Sequence, residues 1–162
     1  MEANARIWNI VLAGIGGQGI VKASDILADA AFRAGHDVKK AEVHGMSQRG
    51  GSVNTDVRYG PAVLSPMVPD GEADILVVMD ATQVENNRFR LRPGGTLLTT
   101  DALAGVPAAV GKSANVAMLG ALSRHLGLPE AAWLDAIRAA LPEKTHAANL
   151  AAFAAGRAAA QR

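Results

Sequence analysis

The sequence contains no cysteine. Disulfide bonds, thiolate catalysis and an iron–sulfur cluster ligated by this chain are therefore excluded, because such clusters are held mainly by cysteine. The 4 histidines are scattered, without the neighbouring acidic residues that would complete a metal site. The sequence therefore predicts no metal centre in this chain.

Excess charge of one sign and long apolar runs are also missing. Lys and Arg number 16 against 15 Asp and Glu, which gives a net charge of +1. The chain has no basic run, so nucleic acid is not a predicted partner. No apolar run approaches the roughly 20 residues of a membrane span, and residues 1–9 lack the basic start of a secretory signal. We expect a cytoplasmic protein with no membrane partner.

The residues that are present indicate an α/β fold with an aliphatic core. Of 162 residues, 49% are hydrophobic but only 4% are aromatic. Predicted strands cover residues 7–13, 37–43, 53–59, 73–80 and 96–100. Predicted helices cover residues 20–34, 82–91, 115–126, 130–141 and 145–157, and residues 92–95 predict a turn. The alternation predicts one domain over residues 1–162, with a Rossmann-like, mainly parallel sheet flanked by helices and a helical C-terminal segment.

A glycine turn joins the first predicted strand to the first helix. Gly14, Gly16 and Gly19 match G-x-G-x-x-G, with Gly17 and Gln18 between them. In a dinucleotide-binding site, such glycines allow a tight turn and close approach of a pyrophosphate to the helix N-terminus. Three interpretations stay open: a dinucleotide site with Glu42 as its acidic residue, helix packing alone, and contact with a phosphate or a partner protein.

A second glycine-rich loop, HGMSQRGGS, follows the second predicted strand. Its candidate binding residues are His44, Ser47, Gln48, Arg49, Gly50 and Gly51. Loops at the carboxyl ends of parallel strands form the ligand crevice, so we expect this loop beside the glycine turn. Arg49 is suited to bind a carboxylate or phosphate bidentately; the alternative is that it pairs with an acid while His44 caps the strand. No nucleophilic triad is present, so no catalytic residue is predicted.

These segments resemble a known family. The motifs are GIGGQGI, AEVHGMSQRGGSV, SPMVPDGEADILVV, LRPGGTLL and NVAMLGALSRHLGLPEAAWLDAI. They closely resemble the β subunit of indolepyruvate ferredoxin oxidoreductases, whose domain is the γ subunit or γ domain of pyruvate and 2-oxoglutarate:ferredoxin oxidoreductases. The likeness covers nearly the whole chain.

The resemblance implies a subunit that is inactive alone. The assembled enzyme would decarboxylate aryl 2-oxoacids of the indolepyruvate type oxidatively, giving acyl-CoA, carbon dioxide and reduced ferredoxin. Thiamine diphosphate and the iron–sulfur clusters would belong to a large α subunit, which agrees with the absence of cysteine here. CoA is a candidate ligand of a crevice shared by the two subunits.

One departure from the family pattern lies in the middle of the chain. Family members usually carry an extra strand and helix between the GGTLL strand and the ANVAMLGAL helix, whereas residues 101–113 alone connect them here. The sheet should therefore be smaller, or its edge supplied by the partner. Two rival functions remain: an autonomous dinucleotide-binding protein, and a non-catalytic scaffold whose loops contact only protein.

Overall fold

The chain folds around a mixed five-stranded sheet. The computed structural model describes residues 6–44 and 51–160, with the backbone alone at His44 and residues 108–110. Its strands are β1 (Trp8–Ile15), β2 (Asp37–His44), β3 (Ser52–Gly60), β4 (Ala73–Val78) and β5 (Leu91–Thr99). Their order across the sheet is β2-β3-β1-β4-β5. Every predicted strand is therefore confirmed.

Strand direction divides the sheet into two halves. β1, β4 and β5 pair in parallel, whereas β3 is antiparallel to both β1 and β2. Four strands thus point the same way, and β3 runs against them between β1 and β2. The predicted α/β fold is confirmed, with β3 as the exception to a mainly parallel sheet.

The segment 92–95 lies within β5 rather than in a separate turn, which corrects the sequence prediction. Leu91 pairs with Ala73, and pairing then resumes at Thr96 opposite Ile75 after a shift in register. Gly94 has φ of 76° inside this irregularity. Because glycine adopts positive φ without steric cost, the strand absorbs the extra residues as a bulge and continues.

The helices are α1 (Ile20–Arg33), α2 (Val84–Asn87), α3 (Ala114–Ser123), α4 (Glu130–Ala140) and α5 (His146–Ala159). α1 buries an aliphatic stripe at helical spacing that includes Ile20, Ala23, Leu27 and Ala30. Gly35, with φ of 94°, follows its end as predicted. Within the described residues, no helix is both long and apolar enough to cross a membrane.

α1, α3, α4 and α5 cover one face of the sheet, which we call the helix face. Its core joins strand side chains to helix side chains: Ile10, Leu12, Val57, Ile75, Val77, Trp133, Ile137 and Phe153. α3 and α5 touch backbone to backbone, because a Cβ on Gly120 would collide with the Phe153 carbonyl and one on Gly156 with the Ala117 carbonyl. The small side chains of this region therefore set the distance between the two helices.

Irregular chain covers the opposite face, which we call the segment face. Its apolar cluster is small and consists mainly of Val11, Ala13, Val68, Leu76 and Val78. The predicted helix 82–91 is instead three short turns, Ala81–Gln83, α2 and Arg88–Arg90. The continuous helix fails because the Asn87 amide donates to the Gln83 carbonyl at 2.7 Å and Arg90 turns inward to a buried carboxylate.

Candidate functional site

The carboxyl ends of β1, β4 and β5 open on a crevice of about 500 Å³. In open α/β sheets this edge is where ligands bind. The crevice is lined by Gly17, Gln18, Met79, Thr100, Gly111, Lys112, Ala114 and Asn115. The glycine turn thus forms one wall, and the start of α3 forms the other.

Two glycines of the turn have backbone conformations that side chains rarely adopt. Gly17 has φ of 92° and Gly19 has φ of 76°. Among the described residues, the N–H groups of Gly17 and Gly19 have no backbone acceptor. The Gly19 carbonyl accepts a hydrogen bond from Asn115 Nδ2 at 3.2 Å, and a Cβ on Gly19 would collide with that side chain. Gly17 therefore presents an N–H group to the crevice, while Gly19 lets α3 approach closely.

Gln18 contributes through its side chain, which sequence reasoning did not foresee. Its Oε1 accepts the Ile15 N–H at 2.8 Å, and its Nε2 donates to Asp80 Oδ2 at 2.9 Å. A Cβ on Gly14 would lie against that same Oε1 and against Ile20. Gly14 and Gln18 therefore act together, and the amide joins the turn after β1 to the chain after β4.

The carboxylate of Asp80 lies beside this turn. Its Oδ1 accepts the Thr82 hydroxyl at 2.5 Å and the Thr82 N–H at 3.0 Å. These bonds, and the one from Gln18, lower the pKa of the Asp80 carboxyl below its ordinary value. Asp80 and Gln83 have the spacing of a capping box but do not form one, because the carboxylate bonds Thr82 and the Gln83 N–H donates to the Asp80 carbonyl at 2.9 Å.

The glycine turn and the start of β3 lie side by side. The Gly16 N–H donates to the Gly51 carbonyl at 2.9 Å. β2 ends at His44, whose backbone pairs with Val53. Ser47, Gln48, Arg49 and Gly50 lie outside the described residues, as does the His44 side chain, so their roles stay predictions. A second cavity of about 410 Å³ lies on this side of the turn and is lined by Gly16, Gly17, Lys22 and Val53 among others.

The topology disfavours the dinucleotide interpretation. In a dinucleotide site the acidic residue ends the strand next to β1, but here β3 occupies that position and Glu42 lies on β2. Two strand spacings of about 4.8 Å therefore separate β2 from β1. Glu42 also accepts a hydrogen bond from Lys40 at 2.7 Å, and Lys40 pairs with Asp25 as well. Glu42 belongs to a surface charge cluster on β2.

Three polar residues of the crevice were missed by sequence reasoning. Thr100 follows β5, while Lys112 and Asn115 flank the start of α3. Residues 101–113 have no periodicity from which their position follows. The sequence did contain a weaker signal: a Lys-Ser-Ala-Asn segment spans the start of the largely apolar helix α3, where an α/β chain returns to the carboxyl edge of its sheet.

Comparison with known sequences assigns the chain to a family. The model of the pyruvate ferredoxin/flavodoxin oxidoreductase family matches residues 9–113 and 103–159. Indolepyruvate oxidoreductase subunit IorB of Thermococcus kodakarensis is 35% identical over 190 aligned positions, which cover 92% of this chain and 94% of the relative. That alignment is longer than the chain, and the two family matches overlap at residues 103–113. The relative therefore carries residues that this chain lacks, and the short connection is where the family pattern breaks.

Two solved structures share the fold. One is a 2-oxoglutarate:ferredoxin oxidoreductase from Magnetococcus marinus with 2-oxoglutarate, coenzyme A and succinyl-CoA bound. It superposes with a TM-score of 0.82 at 22% identity, over 96% of this chain but only 31% of the longer chain. The other is the γ subunit of a keto/oxoacid ferredoxin oxidoreductase from Geobacter sulfurreducens, with a TM-score of 0.79 at 24% identity, over 97% and 98% of the two chains.

The family match and the fold comparisons agree. The family model covers nearly the whole described chain, the Thermococcus relative matches from end to end, and both structures repeat the sheet and its helices. Among the described residues, no group of His, Asp and Glu is placed to hold a metal ion. The chain belongs to the pyruvate ferredoxin/flavodoxin oxidoreductase family and is a subunit of the 2-oxoacid:ferredoxin oxidoreductase type.

Proposed function

We propose that this chain is the cofactor-free subunit of an indolepyruvate-type oxidoreductase and forms one single-domain unit of that enzyme. A large partner subunit would carry thiamine diphosphate and the iron–sulfur clusters, and ferredoxin would accept the electrons. The substrate would be an aryl 2-oxoacid, converted to acyl-CoA and carbon dioxide in the cytoplasm. The end-to-end likeness to an indolepyruvate oxidoreductase subunit supports this assignment, as does the lack of cysteine.

The observation that carries the proposal is the composition of the crevice wall. The wall offers the Gly17 N–H group, which has no backbone acceptor among the described residues, the Thr100 side chain and the Lys112 ammonium, but no nucleophile–base pair. Backbone donors with a nearby cation suit the phosphate groups of CoA. The function that this geometry supports best is therefore ligand positioning, with the reaction chemistry supplied by the partner.

The free edge of the sheet supports contact with a partner. β5 is an edge strand, and its outer side pairs with no strand in the part of the chain that the structure describes. Unpaired strand edges readily accept another chain. The opposite edge, β2, is protected by charged side chains such as Lys39, Lys40 and Glu42, whereas the Thr96–Thr99 part of β5 carries none. We propose that the partner subunit covers β5, where relatives have additional residues.

Reconstitution tests the proposal. The isolated chain should not oxidise indolepyruvate or phenylpyruvate with thiamine diphosphate, CoA and an acceptor dye, whereas addition of the purified large subunit should start turnover. Mass spectrometry of complexes from the native source should find a large, cysteine-rich chain with this one. Turnover by the isolated chain would disprove the proposal that the large subunit supplies the reaction chemistry.

Ligand titrations separate the rival functions. Tight binding of NAD or NADP by the isolated chain would favour a dinucleotide-binding protein, against the topology of β2 and β3. If the chain were only a scaffold, it would restore assembly of the complex, and Lys112→Ala would leave the KM of the complex for CoA unchanged. Under our proposal Lys112→Ala raises that KM about tenfold, since a hydrogen bond to a charged group contributes about 1.5–3 kcal/mol.

A further inference from the structure

A further cavity lies behind the crevice, where α3 begins and α4 gives way to α5. We call it the helix-junction cavity. Its volume is about 360 Å³. It is lined by Lys112, Ser113, Asn115, Val116, Leu141, Pro142, Lys144, Thr145, Ala148 and Asn149. Lys112 and Asn115 also line the crevice, so the two cavities adjoin each other.

The two lysines of the helix-junction cavity have no acidic partner among the described residues. Lys112 and Lys144 are exposed and make neither an ion pair nor a side-chain hydrogen bond there. Two cations beside α1, by contrast, are paired: Lys40 with Asp25 and Glu42, and Arg33 with Asp29 at 2.8 Å. The cavity therefore has an uncompensated positive charge.

Ser113 supplies an unpartnered hydroxyl to the same cavity. The residue is 9% exposed, and its side chain makes no hydrogen bond within the described part of the chain. It is the N-cap residue of α3, where a serine oxygen usually accepts a backbone N–H, but φ of −115° and ψ of 24° place it outside the usual extended N-cap geometry. The other buried serines use their hydroxyls: Ser24 bonds the Val21 carbonyl and Ser123 the Gly120 carbonyl, both at 2.6 Å.

Short 3₁₀ turns lead into both flanking helices. Residues 108–113 precede α3 and Glu143–Thr145 precede α5, and Ser113 and Thr145 line the cavity at these junctions. The cavity thus combines two unpaired ammonium groups with an unpartnered hydroxyl, and this set matches the oxygen-rich, doubly charged phosphate group.

We propose that the helix-junction cavity binds a phosphate group, through the ammonium groups of Lys112 and Lys144 and the hydroxyl of Ser113. This site goes beyond the crevice of the proposed function and does not require that CoA occupy it. The phosphate has two possible sources. It is either free inorganic phosphate or the terminal phosphate of a ligand that extends from the crevice past Lys112.

An NMR titration of the full chain with inorganic phosphate at constant ionic strength tests this site. We expect saturable shifts of the Ser113, Lys144 and Thr145 amides. Lys144→Ala and Ser113→Ala should each weaken binding about tenfold, as expected for the loss of a charge-assisted hydrogen bond. Ser113→Ala should melt at the wild-type temperature because the hydroxyl bonds nothing in the protein. Lys39→Ala, on the opposite side of the sheet, is the matched control and should bind phosphate normally.

A second arm, with CoA as the probe, identifies the source. If CoA displaces phosphate and Lys144→Ala weakens CoA binding, the cavity holds a phosphate of the crevice ligand; if phosphate binds with no effect of CoA, it holds the free anion. Unsaturable shifts, or equal affinity of wild type, Lys144→Ala and Ser113→Ala, would overturn the proposal. If reconstitution with the large subunit fails but phosphate still binds, the proposed function is refuted and the phosphate site is retained.

Discussion

The two faces of the sheet are covered in different ways. The helix face is sealed by four helices over a continuous aliphatic core, whereas the segment face is sealed by irregular chain over a small apolar cluster. At the centre of the segment face, Asp56 of β3 pairs with Val11 of β1. Both residues lie on the face of the sheet opposite the helices. The Asp56 carboxylate is 3% exposed and accepts Arg90 Nη2 at 2.7 Å and the Val68 N–H at 2.9 Å.

Different interactions hold the two covering layers on the sheet. Apolar burial holds the helices and is not directional, so the helix face should tolerate changes that preserve volume. Charge-assisted hydrogen bonds hold the irregular chain in one geometry. Asp37 accepts the Val63 N–H at 2.7 Å, and Arg58 donates to the Ser65 carbonyl at 2.8 Å, in the same way as Asp56 and Arg90 hold Val68. Segments without periodic apolar residues can thus form a defined layer when charged side chains, with the buried Asp56–Arg90 pair among them, supply the specificity.

The largest expected effect on stability comes from a substitution on the segment face. Asp56→Ala should lower the free energy of unfolding by about 3–5 kcal/mol, because it leaves the Arg90 guanidinium buried without its partner. Urea denaturation monitored by circular dichroism measures the loss. Asp70→Ala is the matched control: Asp70 also faces Arg90, at 3.3 Å, but is 74% exposed, so its loss should cost less than about 1 kcal/mol. Equal losses in the two variants would mean that burial does not control the strength of this network.

The next effect tests the helix face. Gly156→Ala should destabilise the protein by about 1–3 kcal/mol, because its methyl group meets the Ala117 carbonyl and forces α3 and α5 apart. Gly127→Ala is the control, since a Cβ there has no neighbour within 4 Å. Thermal melts of both variants give the comparison. A Gly156→Ala protein as stable as wild type would show that the helix packing is looser than its backbone contacts indicate.

A smaller effect is expected at the carboxyl edge of the sheet, where the glycine turn lines the crevice. Gln18→Ala removes the bonds to Ile15 and Asp80, at about 0.5–1.5 kcal/mol each. Its effect should be local, so hydrogen exchange should accelerate at the Ile15 amide while the amides of the sheet centre, such as Val11, stay protected. Uniform acceleration would contradict a local role for the Gln18 amide.

The smallest effect concerns the Asp80 carboxylate. Its pKa lies below the ordinary value of 3.8, chiefly because Thr82 donates to it. A lowered folded-state pKa stabilises the fold above the ordinary pKa, and that contribution is lost only as pH falls through the folded value. Stability near neutral pH should therefore not depend on this titration. In Thr82→Val, the pKa of Asp80 measured by carboxyl NMR should rise towards 3.8; an unchanged value would assign the shift to other groups.

The periodic parts of this fold could be predicted from the sequence. β1, α1 and β4 are read from an apolar run, a glycine turn, a helical stripe and a second apolar run, because buried parallel strands and amphipathic helices leave such patterns. α3, α4 and α5 are confirmed within a few residues of their predicted ends. The resemblance of the glycine motifs likewise pointed to the correct family.

Long-range geometry could not be predicted. The alternation in residues 53–59 indicates a strand but not its direction, so the insertion of β3 between β1 and β2 became visible only in the structure. The Asp56–Arg90 pair joins residues far apart in sequence, and no local pattern announces it. The same holds for Lys112 at the crevice and for the Gln18–Asp80 bond. Polar side chains reveal their partners only when the topology has brought them together.

The central position of β1 has a consequence for the order in which the protein forms on the ribosome. Ile10 pairs with Val57 on one side and with Ile75 on the other, so β1 is translated well before either neighbour. Its apolar side chains must remain unpaired in the nascent chain until β4 has emerged, which exposes an aggregation-prone strand. The contacts between α3 and α5 span less of the sequence than those between β1 and β4, so their partners follow sooner in synthesis. Slower translation before β4 should therefore lower the soluble yield more than slower translation after it.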